Sequence, residues 1–298
     1  MGDPSVVCTQ LGGTAGQNGS CVLSPPDETP DLQDWKYVLT FRPLAVKDGI
    51  KQRFSPNVKE PYYHPIEDGY GALNLDFYAV QIVDLPSVAG TKHTAESMLN
   101  AVRRTFNNFL DQSISPFEAY DLSGVDAATW DSATPVGAVM HFLVKTPGTV
   151  KDDKASVVAA EYAPDHWIFS TLPTPNDDAH PVSGNRQFGV AILRAGDALP
   201  DVYQKAGVTI DNTKGDALYF YTRGADRCTS AVDHFASVMG NVVFTGGHAC
   251  WLALQQKLTA WIIQGGGQAV VAGNVSERWD WNIIKGRRGG TLWTGPSQ

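Results

Sequence analysis

The chain has 298 residues, 43% hydrophobic and only 18% charged, so it can bury a large core and is not a disordered segment. Its formal net charge of −8 argues against phosphate and anionic membrane surfaces, because nucleic-acid affinity rests on Lys and Arg neutralising the backbone. Twenty-nine glycines and 18 prolines favour short strands joined by many turns over a helical bundle.

No apolar run approaches the ~18–20 residues of a membrane span. Residues 1–20 lack the basic start and apolar stretch of a signal peptide, so the expected location is cytoplasmic, or outside by a route that needs no such signal. Residues 1–34 are Gly-, Pro- and acid-rich and read as an irregular N-terminal segment. Residues 35–274 read as a single α+β domain, and residues 275–298 as a Trp- and Arg-containing tail.

Within the domain, 35–45 alternates like a strand, and 46–72 reads as loop. Residues 73–83 are rich in β-formers and predict a strong strand. Thr94 is a plausible N-cap for a helix whose apolar face carries Met98, Val102, Phe106, Phe109 and Leu110, with Arg103 and Arg104 turned outward. Five strands follow, at 137–145, 155–162, 166–172, 186–193 and 216–224. Their separations are too short for crossover helices, so neighbours should pair antiparallel. Residues 248–264 predict a long amphipathic helix bearing Trp251, Leu254, Leu258, Trp261 and Ile262, stopped by Gly265-Gly266-Gly267. The fold class expected is therefore α+β, a curved antiparallel sheet packed on a long C-terminal helix.

Strand, helix, several antiparallel strands and a long helix is an order that resembles the helix-grip superfamily, the START and Bet v 1-like folds. The matching parts are 73–83, 94–111, the strands of 137–224, and 248–264. The resemblance implies that the sheet wraps the last helix and that an apolar ligand sits between them.

Candidate site residues fall in two groups. His180, Ser183 and Arg186 sit on a turn and a strand start, while Arg223 and Asp226 end a strand about thirty residues later. Alternation places Tyr219, Tyr221 and Arg223 on one side of that strand, where an Arg beside aromatic rings can grip a carboxylate. Arg186, Tyr219, Tyr221, Arg223 and Trp251 are thus expected to bind ligand, and His180, Ser183 and Asp226 are the candidates for catalysis. No GxSxG elbow supports a serine nucleophile. The bland alternative is that the Arg and Asp residues tie strand ends to loops.

No cofactor or metal is implied. His141, His166 and His180 lack ligand spacing, and Cys8, Cys21, Cys228 and Cys250 contain no CxxC pair. The thiols read as free, although Cys8 and Cys21 flank a loop that oxidation would close. Cys250 near a helix start could be an activated nucleophile, but its apolar surroundings favour a buried, inert thiol.

Three functional expectations follow. The first is a binding protein for a small hydrophobic or carboxylated ligand between sheet and helix. The second is a hydrolase or toxin-like effector using His180 with Arg223 or Asp226. The third is an interaction component of a secreted assembly, meeting a protein partner through Trp279, Trp281 and Trp293 of the tail.

Overall fold

The computed structural model describes residues 13–15, 21–23, 30–54, 63–113, 116–121, 124–144, 153–177, 180–209, 215–229, 237–281 and 284. Cys8 and Trp293, for which expectations were stated, lie outside these.

In chain order come β1 (Gly13–Ala15), β2 (Cys21–Leu23), α1 (Pro30–Gln33), α2 (Lys36–Thr40), β3 (Phe41–Arg42) and α3 (Leu44–Phe54). Then follow β4 (Tyr70–Asp84), the small hairpin β5 (Ser87–Val88) and β6 (Thr91–Lys92), and α4 (Ala95–Arg104). The middle of the chain holds β7 (Phe117–Ala119), α5 (Val125–Asp131), β8 (Val139–Val144), β9 (Asp153–Ala163), β10 (His166–Thr171) and β11 (Val182–Leu193). The last elements are α6 (Asp201–Lys205), β12 (Ala217–Cys228), α7 (Ser237–Gln264) and β13 (Gln268–Trp279). Eight strands form one antiparallel sheet in the order β13-β4-β12-β11-β10-β9-β8-β7. The meander expected from short connections is thus present, and the long helix α7 packs on the sheet.

One face of the sheet meets α4, α5 and α7. Tyr78, Val80, Phe220, Phe188, Trp167, Phe169 and Met140 project there and pack with Trp130, Trp251, Leu254, Leu258 and Ile262. The face is paved with rings. Trp167 stacks on Phe188 at 4.9 Å, and Phe106 meets Phe188 edge-on at 5.0 Å. α4 enters this layer through a capping box, the Ser97 amide donating to Thr94 Oγ1 while Ser97 Oγ accepts from the Thr94 amide.

The other face is covered as well. Leu73, Leu75, Phe77, Tyr219 and Ala225 pack with Val38, Leu39, Val202 and Tyr203 from α2 and α6. Further along, Val46, Ile50 and Phe54 of α3 cover Val139, Val158 and Ile168.

Several expectations are corrected here. Residues 35–45 are not one strand but α2 followed by the two-residue β3, and α3 occupies ground read as loop. Helical spacing lets Trp35, Val38 and Leu39 share one buried side, and that packing outweighs the β-propensity of the segment. The segment 1–34 is not wholly irregular, since β1, β2 and α1 lie in it. β13 runs through to Trp279, so a boundary at 275 would cut a strand. β7 and α5 lie outside every element read from the sequence. Arg103 does not face outward. It is fully buried, donates to the Trp130 and Ser132 carbonyls and lies over the Trp130 ring.

α7 stops where the glycines predict. A Cβ on Gly267 would come within 2.6 Å of the Asp84 carbonyl oxygen, so only glycine lets the chain turn tightly from α7 into β13 beside β4.

Phe188 is the ring on which this side of the core converges. Phe188→Ala should destabilise the protein by ~3–5 kcal/mol and Phe188→Leu by much less, as read from urea unfolding midpoints. Equal, small losses for both would mean that the ring layer is loosely packed.

Candidate functional site

Along the face beneath α7, rows of paired residues change character toward one end of the sheet. The row Phe188, Thr222, Tyr78 and Asn274 is half apolar. The next holds Arg186, Gly224, Asp76 and Ser276, and the one beyond it Gly184, Asp226, Asn74 and Arg278. A polar cluster therefore begins where the ring-paved core ends, under the N-terminal half of α7.

Arg186 organises it. Its guanidinium lies over the backbone of Gly224, where any Cβ would stand 2.3 Å from Nη2, and under the Trp251 ring at 4.3 Å. Nη2 donates to Asp76 Oδ1 at 2.6 Å, and Asp226 Oδ2 stands 3.9 Å away. The Asn74 amide nitrogen donates to both carboxylates, at 3.2 Å each. Beside them the Tyr78 hydroxyl and His248 Nδ1 are 2.8 Å apart. The charged side chains retain slight exposure, 13% for Arg186, 9% for Asp76 and 12% for Asp226.

Burial, then the neighbouring Asp76 charge, raises the Asp226 carboxyl to about 7, against the pull of Arg186. For Arg186, burial opposes the charge, but Asp76 and Asp226 more than compensate and hold its pKa above the ordinary value. The cluster therefore pairs an ionised Arg–Asp couple with a carboxyl that keeps its proton into the neutral range. Burial also pushes the Cys250 thiol up to about 11, which removes its nucleophilicity at neutral pH.

The expected site residues are not brought together as one group. Arg186, Trp251 and Asp226 share the α7 side. Tyr219, Tyr221 and Arg223 share a side of β12, as alternation predicts, but it is the opposite one. There Arg223 donates to Gln187 Oε1 at 2.7 Å and to the Asp34 carbonyl, and lies against the Tyr221 ring. Arg223 and Asp226 thus cannot serve one cleft. Ser183, paired with Arg227 on β12, also lies away from Asp226, its hydroxyl 3.3 Å from Thr229 Oγ1. His180 is buried against the Val182 backbone, whose amide donates to Nδ1 at 3.1 Å, and burial lowers its pKa to about 3. A group so held neutral and turned to its own backbone is a structural residue.

Of the other residues, His166 sits between Glu161 at 2.7 Å and Asp165 at 2.8 Å, and His141 faces Asp177. Among the described residues no group of three or more His, Cys, Asp or Glu is placed to hold a metal. Trp279 and Trp281 pack against the second core, with Arg227 over the Trp281 ring at 4.3 Å. No described helix is long and apolar enough to cross a membrane.

Asn74, Asp76, Tyr78 and His248 were absent from the sequence-based set. Their signal was present: Asn74, Asp76 and Tyr78 alternate along an otherwise apolar strand, so they share one face with Val80. No protein-family model matches the chain, and no curated protein matches it.

Raising the Asp226 pKa means that the folded state holds a proton that the unfolded chain releases between about pH 4 and pH 7. Stability from this group therefore falls as pH rises through that window, by up to about 1.4 kcal/mol per pH unit. Asp226→Asn should remove this component, so that the stability difference between variant and wild type grows with pH. A difference independent of pH would show an ordinary carboxyl.

Proposed function

We propose that the protein is a binding module for a small, mainly apolar ligand. The ligand's polar end meets the Asn74, Asp76, Arg186 and Asp226 cluster, and its apolar part lies against Trp251 and the N-terminal half of α7. The observation that carries this reading is a buried, charged cluster set where the ring-paved face gives way to polar rows. A chain that needed only stability gains little from burying an Arg–Asp pair and a second carboxyl there, since apolar residues of similar volume serve as well or better. The helix-grip-like order of elements supports the same reading.

A ligand carboxylate is a weaker candidate for the polar end. Arg186 already donates to Asp76 and lies under Trp251, so an incoming carboxylate would have to compete with Asp76. The hydrolase reading of His180 with Arg223 or Asp226 has less support, because His180 is buried against the Val182 backbone and held neutral.

The neutral probe N-phenyl-1-naphthylamine should bind the native protein saturably at one site, with a Kd on the order of micromolar. Trp251→Ala should weaken it about tenfold or more while far-UV circular dichroism stays native. A linear, non-saturating fluorescence rise, or equal binding by the variant, would overturn the proposal.

A further inference from the structure

The cluster has more hydrogen-bond acceptors than donors. Asp76 is matched by Arg186. Among the described residues Asp226 Oδ1 receives the shared, long bond from Asn74, and its Oδ2 lies 3.9 Å from the guanidinium, beyond hydrogen-bond reach. Asn74 is 1% exposed, and its Oδ1 has no hydrogen-bond partner among the described residues. An amide flip would not repair this, because it would turn Oδ1 onto the Asp76 carboxylate and leave the amide N–H groups unpaired in its place. A buried, unpaired acceptor is costly, so Asn74 Oδ1 points to a donor that arrives from outside.

We infer that the cluster is a subsite for a ligand ammonium group, held by Asp226 and Asn74 Oδ1, in an otherwise apolar amine. This rests on the binding reading above and names its head group. An ammonium supplies three N–H donors and one positive charge. Arg186 is neutralised by Asp76, which leaves Asp226 as the counter-charge. Below about pH 7 the unliganded Asp226 holds a proton, because burial and the Asp76 charge raise its pKa. On binding, its O–H bond breaks, the proton goes to solvent, and the carboxylate left behind pairs with the ammonium. The aromatic wall of Trp251 and Tyr78 suits an alkyl chain next to a cation.

The charged and titratable groups facing Asp226 are Asp76 and Tyr78 on β4, Arg186 on β11 and Arg278 on β13, with His248 on α7 bonded to Tyr78 and Cys250 on α7 beside Tyr78 and Arg186. Arg278 is exposed and lies over the Phe244 ring, at the outer side of the cluster. An imidazole that loses its charge acts on an ammonium in the same direction of pH, so the part of His248 is separated by substitution.

The test uses the full chain and three probes of equal chain length: octylamine, octanoate and octanol. Each is titrated calorimetrically and by displacement of N-phenyl-1-naphthylamine. At about pH 8, octylamine should bind at least tenfold more tightly than either other probe. Its affinity should rise toward tenfold per pH unit from about pH 5.5 to 7, because binding releases a proton. Calorimetry in two buffers of different ionisation enthalpy reads that release directly. Asp226→Asn should abolish the preference for the amine and the pH slope, whereas His248→Asn should retain the slope. Asn74→Leu, close in volume, should lower the amine preference and serves if Asp226→Asn fails to fold. Equal or tighter binding of octanol or octanoate, or a slope surviving Asp226→Asn, overturns the ammonium subsite and leaves the binding module standing. Absence of binding by all three together with the naphthylamine overturns both.

Discussion

The Arg186 guanidinium lies flat between the Gly224 backbone and the Trp251 ring, and its bond to Asp76 spans the intervening strand β12. One side chain thus joins β11, β12, β4 and α7. The arrangement requires glycine at 224, since a methyl group there would occupy the guanidinium's own space. It also requires Asp76. Taking the guanidinium away would leave that carboxylate buried without a counter-charge, a loss of several kcal/mol, although the intact cluster adds little net stability. A cluster that is costly to break and gains little by existing is better explained by what it binds than by what it holds together.

Covering both faces of the sheet sets the context for this cluster. The α7 side is filled by rings and aliphatic side chains from the sheet and from α4, α5 and α7, and the opposite side by α2, α3 and α6. With the apolar surface so occupied, the polar rows at the end of the α7 side stand out. Two other buried carboxylates are matched within the fold. Asp126 accepts from the Arg53 guanidinium and the Val139 amide, and Glu161 accepts from Tyr37 and His166. Asn74 Oδ1 has no such partner among the described residues, which sets the Asn74–Asp226 pair apart from those two networks.

Much of the architecture was legible because its signals are local. Period-two alternation marked the strands of 73–83 and 155–224, the Thr94 cap marked α4, and the glycine run marked the end of α7. The helices α2 and α3 were not legible. Their β-branched and aromatic residues suit either structure, and only docking onto the far side of the sheet selects the helix. Arg103 was read as outward by periodicity alone. Its burial depends on carbonyls of Trp130 and Ser132, which follow in the chain but face it only once the fold has formed.

The site divides along the same line. The sequence by itself determined that Tyr219, Tyr221 and Arg223 share one side of a strand, and that Arg186 and Asp226 lie near strand ends, because side-chain direction along a strand alternates with a fixed period. It could not tell which side α7 would cover. That choice depends on which face, summed over strands far apart in sequence, buries more apolar area against the helix, and it fell to the side bearing Phe188 and Phe220. Alternation along β12, which runs on to Cys228, separates Arg223 from Asp226, whereas tertiary structure alone brought Asp76 to Arg186 and Asn74 to Asp226, since those contacts span more than a hundred residues and exist only in the assembled sheet.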